Sequence, residues 1–296
     1  MSLVATLVSA HGQALLDEAL LARLRAASPW PATLARLDGE IAADLFAEAQ
    51  GPRKLEAALR AALDGAAVDI LVQPVAARRK RLFLADMDST MIGQECIDEL
   101  AAYVGLKEKV SQITERAMRG EVAFEPALRE RVALLKGVPL AVVEEIIAER
   151  ITLTPGGAAL VRTMRAQGHY TALVSGGFTV FTGPIGKAIG FDEDRSNTLL
   201  GTGALLSGEV AEPILGKQAK LDALVELRGR FGLPHEATLA VGDGANDLAM
   251  LGEAGLGVAF RAKPAVAAAA DARLDHADLT ALLYAQGYRG EEIVRN

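Results

Sequence analysis

Two aspartates one residue apart, Asp86 and Asp88, follow directly on the apolar run Leu82-Phe83-Leu84-Ala85. At the end of a strand, that spacing lets one carboxylate and the backbone carbonyl two residues later face the same cation. Hard oxygen donors of this kind suit Mg²⁺. Asp243, which follows a second apolar run, offers the further carboxylate of an octahedral site. A carboxylate beside such a cation is also a nucleophile. Attack of Asp86 on phosphorus would give an aspartyl-phosphate and divide a hydrolysis into two displacements. Asp88 could protonate the leaving alkoxide and then deprotonate the water that releases phosphate. Ser175, with Gly176 and Gly177, offers a hydroxyl and unobstructed N–H groups at a helix N-terminus for the non-bridging oxygens. Lys220 supplies fixed positive charge near the start of a helix, with Asp247 as the acid that holds its ammonium. Taken singly, each feature has a plainer reading, since strand-end aspartates form turns and caps and a lone lysine is usually a surface charge. The specificity lies in their order: DMDST, a strand-end serine, a helix-borne lysine, then GDGAND.

The elements that must position these residues are legible in the apolar pattern. From Arg81 onward, short apolar strands alternate with helices: Leu82 to Ala85, Tyr170 to Val174, Thr238 to Val241 and Gly257 to Phe260. This order predicts an α/β fold with a parallel sheet wrapped by helices. The first three strands end in the polar clusters above, and ligands of such sheets bind at the carboxyl ends of strands. Glu95 to about Arg150 reads as helical and is too long for a simple crossover, so it is expected to form a helical cap. A small hairpin is expected at Gly201 to Val210, on the signals of Gly203 and a turn at Leu206-Ser207-Gly208-Glu209, then a helix from Lys217 to Arg230. Ala267 to Ala270 reads as helix. Residues 1 to about 76 read as strand (Leu3 to Val8), helix (Leu15 to Ala27), two extended segments about Leu37-Asp38-Gly39-Glu40, helix (Arg53 to Leu63) and strand (Val68 to Val75). That is the ferredoxin-like βαββαβ order. The basic run Arg78-Arg79-Lys80-Arg81 is expected to be a solvated linker between two domains, 1–77 and 78–296, the second with its cap inserted at about 92–152.

On these residues the segment from about Arg81 to the C-terminus resembles the phosphoserine phosphatases of the haloacid dehalogenase superfamily. The likeness is carried by Asp86, Asp88, Ser175, Lys220, Asp243 and Asp247, and by the strings VSGGF, VGDGANDLAM and Ala262-Lys263-Pro264. The resemblance implies a Rossmann-like core with a helical cap after the first motif, Mg²⁺ dependence, and hydrolysis of O-phosphoserine to serine, the last step of serine biosynthesis. It also places Glu95, Met118, Phe124 and Arg131 at the substrate. Glu95 would pair with the ammonium, Arg131 would grip the carboxylate as a bidentate fork, and Phe124 with Met118 would cover the site against water. Asn246, in the Gly-Ala-Asn-Asp turn, is a further candidate contact to the bound phosphate or product. The N-terminal unit resembles the ACT-like extension of bacterial members, which implies docking or a homodimer.

With 296 residues, 51% of them hydrophobic, the chain can build two buried cores. A formal net charge of -7 argues against a nucleic-acid partner. No apolar stretch approaches the roughly 18–20 residues of a bilayer span and the N-terminus lacks a basic leader, so no membrane partner and a cytoplasmic location are expected. One cysteine, Cys96, and four scattered histidines leave no zinc-like spacing, so Cys96 is read as packing. Two rivals stay open. One keeps the chemistry on another small phosphorylated amino acid or alcohol, or passes the phosphoryl group to an acceptor other than water. The other is a non-catalytic amino-acid sensor built on the N-terminal unit.

Overall fold

The computed structural model describes residues 1–48, 51–118 and 121–295, with the side chains of Ala117 and Met118 left out. Its first unit runs β1 (Ser2–Ser9), α1 (Glu18–Ala27), β2 (Ala32–Asp38), β3 (Ala42–Glu48), α2 (Pro52–Leu63) and β4 (Val68–Pro74), in the expected order. Asp17 caps α1 by accepting the Leu20 N–H at 2.7 Å, so the helix starts three residues later than its apolar pattern suggests. Leu55, Leu59 and Leu63 recur at four-residue spacing on α2 and meet Leu20, Leu21 and Leu24 of α1 over one face of an antiparallel sheet ordered β2-β3-β1-β4. Residues of opposite parity on these strands, Val8, Ala42 and Leu71, face away from the helices and join the larger core of the rest of the chain.

The second unit is built on β5 (Leu82–Ala85). The cap follows, with α3 (Cys96–Tyr103), α4 (Lys107–Met118), α5 (Phe124–Ala133) and α6 (Ala141–Glu149). The chain then returns through α7 (Gly157–Ala166), β6 (Tyr170–Phe178), α8 (Thr179–Ile189) and β7 (Glu193–Asn197). A hairpin of β8 (Leu199–Thr202) and β9 (Leu205–Val210) precedes α9 (Lys217–Arg230), β10 (Thr238–Gly242) and α10 (Leu248–Glu253). The last elements are β11 (Gly257–Phe260), α11 (Pro264–Ala269), β12 (Ala272–Leu274) and α12 (Ala281–Ala285). The sheet has the order β12-β11-β10-β5-β6-β7 and every pairing in it is parallel. β5 is buried along its whole length because it is central and covered on both faces. Phe83 and Ala85 enter one core, while Leu82 and Leu84 enter the other with Ala223, Leu224 and Leu227 of α9.

Three expectations are corrected. β6 runs on to Phe178, and its register against β7 shifts between Val174 and Phe178, so Ser175, Gly176 and Gly177 bulge out of the ladder. The hairpin turns at Gly203-Ala204, and Leu206 to Glu209 lie within β9, where Gly208 admits the backbone of α5 at close range. The basic run is not a solvated linker. The Arg78 guanidinium forks onto the Asp44 carboxylate at 2.8 and 3.0 Å and also donates to the carbonyls of Tyr284 and Ala285, while Lys80 is buried and donates to the Glu236 carbonyl at 2.8 Å. Asp44 sits on the second face of the N-terminal sheet, and its negative charge draws the linker inward.

Asp69 on the same face accepts the backbone N–H groups of Asp275, His276 and Ala277 at 2.9, 3.0 and 2.7 Å. Asp69→Ala strands these donors, and urea unfolding should show about 2–4 kcal/mol of lost stability, with Asp69→Asn losing less. A loss below about 0.5 kcal/mol would show that the clamp contributes nothing. Lys80 gives a second test. Burial lowers its pKa from 10.5 to about 8, against the pull of Asp271 and Glu236. Between those values the unfolded chain binds the extra proton, so the cost of the buried charge is fully present below pH 8 and is relieved as pH rises. Unfolding midpoints of the wild type relative to Lys80→Met should therefore climb between about pH 8 and about pH 10.5, and a flat or falling difference contradicts this.

Candidate active site

The carboxyl ends of β5, β6 and β10 bring the polar clusters into one crevice. Asp86 leaves β5 with its N–H still bonded to the Val241 carbonyl of β10, which fixes the two strand ends side by side. Its Oδ1 accepts the Met87 N–H at 2.8 Å and lies 2.6 Å from Lys220 Nζ, so both contacts fall on one oxygen. Lys220 reaches the crevice from the first turn of α9 and places the same Nζ 2.7 Å from Asp247 Oδ1. Burial opposes its charge, yet Asp86 and Asp247 hold its pKa above the ordinary lysine value. Asp247 can fold back to it only because Gly242 has no side chain, since a Cβ there would lie 2.3 Å from the Asp247 carboxyl carbon. Asp247 Oδ2 then accepts the Gly244 N–H at 2.9 Å, closing the GDGAND turn on itself.

Asp86, Asp243 and Asp247 each offer an oxygen, and the three atoms lie within 4.8 Å of one another. Three carboxylates face one ammonium here. Burial, then Asp247, pushes the Asp86 carboxyl well above the ordinary range, with Lys220 pulling it back; burial, then Asp247 and Glu95, pushes Asp243 up to about 6. A crowd of hard oxygen donors with uncompensated negative charge fits a divalent cation. Asp247, expected only as the partner of Lys220, brings a third carboxylate into this trio, while the main-chain carbonyl expected from Asp88 is not a carboxylate and lies outside it. The Asp88 carboxylate turns elsewhere, accepting the Cys96 N–H at 3.4 Å and lying where a Cβ on Gly177 would come within 3.2 Å of it. Burial, then Glu95, pushes its pKa up to about 7.

Ser175 is buried and its Oγ accepts the Gly177 N–H at 2.9 Å. That bond uses one of the two glycine donors expected to be free. α8 begins only at Thr179, so the serine sits on the bulge before the helix and not at its first turn. Asn246 is half-buried, and its side-chain oxygen lies so close over Gly244 that a Cβ there would be 2.2 Å from it.

From the cap, Glu95 sits at the N-cap position of α3 with its side chain turned to Ser89, accepting from Ser89 Oγ at 2.7 Å. Arg131 on α5 is half-buried, bonded to the Ala127 carbonyl at 3.2 Å and to Thr114 Oγ1 at 3.3 Å; burial lowers its pKa, while Asp98 and Glu95 raise it. Phe124, at the start of α5, lays its ring against Gly176 and Gly216. The Met118 side chain lies outside the described residues. Cys96 is fully buried and burial raises its thiol pKa, as packing requires. Two residues that the sequence reading gave no role stand in the site. Ser89 adopts φ 55°, a left-handed turn that aims its hydroxyl at Glu95, and Thr90 donates to Asp243 Oδ1 at 3.1 Å. Their signal was their place in DMDST, where a hydroxyl beside strand-end aspartates is available to hold a neighbouring carboxylate.

Residues 83–252 match the family model described as haloacid dehalogenase-like hydrolase. A phosphoserine phosphatase of Mycobacterium tuberculosis is 44% identical over 227 residues, 76% of this chain. The matched part is only 55%, 65% and 59% of the length of the curated relatives from M. tuberculosis, Archaeoglobus fulgidus and Streptomyces coelicolor. Among solved structures, a haloacid dehalogenase family hydrolase of Salmonella enterica superposes with a TM-score of 0.85 at 29% identity, covering 96% of this chain and 97% of that one. A phosphoserine phosphatase solved as a phospho-aspartyl intermediate analogue gives a TM-score of 0.64 at 40% identity, covering 70% of this chain and 98% of that one. With more than half of the sequence inside the family model and the strand-end carboxylates and lysine in one crevice, the chain belongs to the haloacid dehalogenase-like hydrolase family.

Proposed function

We propose that this protein hydrolyses O-phospho-L-serine to L-serine and phosphate through a phosphate ester on Asp86. The observation that carries the reading is Lys220 Nζ held between Asp86 and Asp247 with Asp243 alongside, a site built to concentrate charge around one transferring phosphoryl group. Its relatives are named as phosphoserine phosphatases, and one of them was solved as a phospho-aspartyl analogue. Asp86 attacks phosphorus with Oδ2, because Oδ1 is engaged by Met87 and Lys220. The Asp88 carboxyl gives a proton to the departing serine alkoxide and later takes one from the water that hydrolyses the ester. Ser175 Oγ, the Gly176 backbone, Lys220 and Asn246 bind the non-bridging oxygens. Glu95 receives the substrate ammonium, Arg131 its carboxylate, and Phe124 with Met118 excludes water. The metal ligands of this reading are Asp86, Asp88 through its main chain, and Asp243, with Asp247 adding a third carboxylate beside them. Bound there, Mg²⁺ would neutralise charge on the phosphoryl oxygens.

The reading extends to organisation and setting. We place an ACT-like unit at 1–77 and the phosphatase unit at 78–296, with the cap at about 92–152. The contacts of Asp69, Gln73 and Arg78 with the C-terminal segment favour docking of the first unit on its own chain over homodimerisation through that face. No helix among the described residues is long and apolar enough to cross a membrane. The setting proposed is the last step of serine biosynthesis in the cytoplasm. The sensor reading is disfavoured by the intact carboxylate and lysine set, which a binding scaffold has no need to hold together.

Phosphate release from phosphoserine should require Mg²⁺, stop with EDTA, and fall by at least about 10³-fold in Asp86→Asn. Release that survives in Asp86→Asn would remove the nucleophile from this account. Arg131→Ala should raise KM for phosphoserine by about 10-fold or more while leaving p-nitrophenyl phosphate hydrolysis nearly unchanged, because only the first has a carboxylate to grip. Equal losses on both substrates would take Arg131 out of recognition.

A further inference from the structure

Asn197, the last residue of β7, is 2% exposed and carries no role in the chemistry above. Its amide makes three hydrogen bonds, all to backbone. Nδ2 donates to the Gly176 carbonyl at 2.9 Å and to the Leu215 carbonyl at 3.1 Å, and Oδ1 accepts the Leu215 N–H at 2.7 Å. Both donors and the acceptor of the side chain are thus spent on two loops. One carries the Ser175-Gly176-Gly177 bulge. The other leads into α9, whose first turn presents Lys220. These loops come from different connections of the sheet, and this side chain links them directly.

The same two loops touch the cap. A Cβ on Gly176 would lie 3.5 Å from Phe124 Cζ, and a Cβ on Gly216 would lie 3.3 Å from Phe124 Cδ1. The Phe124 ring therefore rests in a slot walled by two glycines, one on each of the loops that Asn197 ties together. Gly216 has φ -106° and ψ -158°, extended backbone open to any L-residue, so its lack of a side chain answers to space and not to backbone strain.

We propose that Asn197 is a positioning residue that sets the width of a two-glycine slot, Gly176 and Gly216, into which Phe124 seats the cap over the phosphate loop and Lys220. One side chain thereby couples cap seating to the alignment of the phosphate donors. The inference rests on the reading of the crevice as the phosphatase site, and it deepens that reading by naming what holds the cap in register.

The test is a double-mutant cycle in the full chain, with hydrogen exchange alongside it. Gly216→Ala should raise KM for phosphoserine by about 10-fold, and the same change should cost less than about twofold once Phe124→Ala has emptied the slot. Asn197→Asp keeps the Oδ1 acceptor but turns an oxygen toward two carbonyls; it should raise the inhibition constant of inorganic phosphate by about 10-fold and lower kcat. Amide exchange should speed up in residues 175–177 and 213–217 of Asn197→Asp, and in α5 of Gly216→Ala. Additive effects of Gly216→Ala and Phe124→Ala would overturn the slot. Asn197→Asp that lowers Tm but leaves phosphate inhibition, kcat and exchange of the two loops at wild-type values would reduce Asn197 to a packing residue. Should the wild type hydrolyse a different phosphomonoester, the substrate assignment fails while the cycle is run on that ester. Should it hydrolyse none, the exchange measurements alone decide the slot.

Discussion

A lysine ammonium buried between two carboxylates is costly to assemble and costly to break, and the site is arranged around it. Lys220, Asp86 and Asp247 come from three elements that are distant in sequence, and each loses hydration on entering the crevice. Removing one member of such a buried set typically costs about 3–5 kcal/mol, because the partners stay buried and unpaired. The neighbouring backbone conforms to the cluster: Gly242 makes room for Asp247, the Gly244 N–H satisfies its second oxygen, and the Met87 N–H donates to Asp86. Asp243 joins at the price of further repulsion, which Thr90 relieves in part and a cation would relieve more fully.

The N-terminal unit bears on that cluster only at a distance, but it is fixed to the rest of the chain by the same kind of interaction. Asp69 and Asp44 lie on a sheet face that its helices leave uncovered. Each is satisfied from across the interface, Asp69 by the loop after β12 and Asp44 by the linker arginine Arg78. Val8, Ala42 and Leu71 then share a core with Leu279 and Ala281. A face that might have been free for a partner is engaged within the chain, so the first unit moves with the C-terminal segment that buttresses the Rossmann-like core.

Where burial is complete, the sequence announced the structure. β5, β10 and β11 are short apolar runs, and α2 shows its buried leucines at helical spacing, so their bounds could be read within a residue or so. β7 could not be read, because Glu193-Asp194-Arg195-Ser196-Asn197 is an edge strand with no apolar alternation. The extension of β6 through Ser175-Gly176-Gly177 was hidden for a related reason, since two glycines carry no strand propensity and the pairing depends on a bulge. In the site, arrangements local to a motif were legible: the convergence of Asp86 and Asp243, and the pairing of Lys220 with Asp247. The fate of the basic run was not, because whether Arg78 meets water or Asp44 depends on a sheet face more than thirty residues away. Asn197 was equally silent, its function being geometry between two loops.

The most direct test of the central claim is to find the phosphoryl group on the enzyme. Quenching the wild type in acid during turnover of phosphoserine, reducing with borohydride and mapping peptides by mass spectrometry would convert an aspartyl-phosphate to homoserine at its own position. The account predicts homoserine at residue 86 alone, dependent on substrate. Homoserine at residue 243 or 247, or none while phosphate is being released, would contradict it.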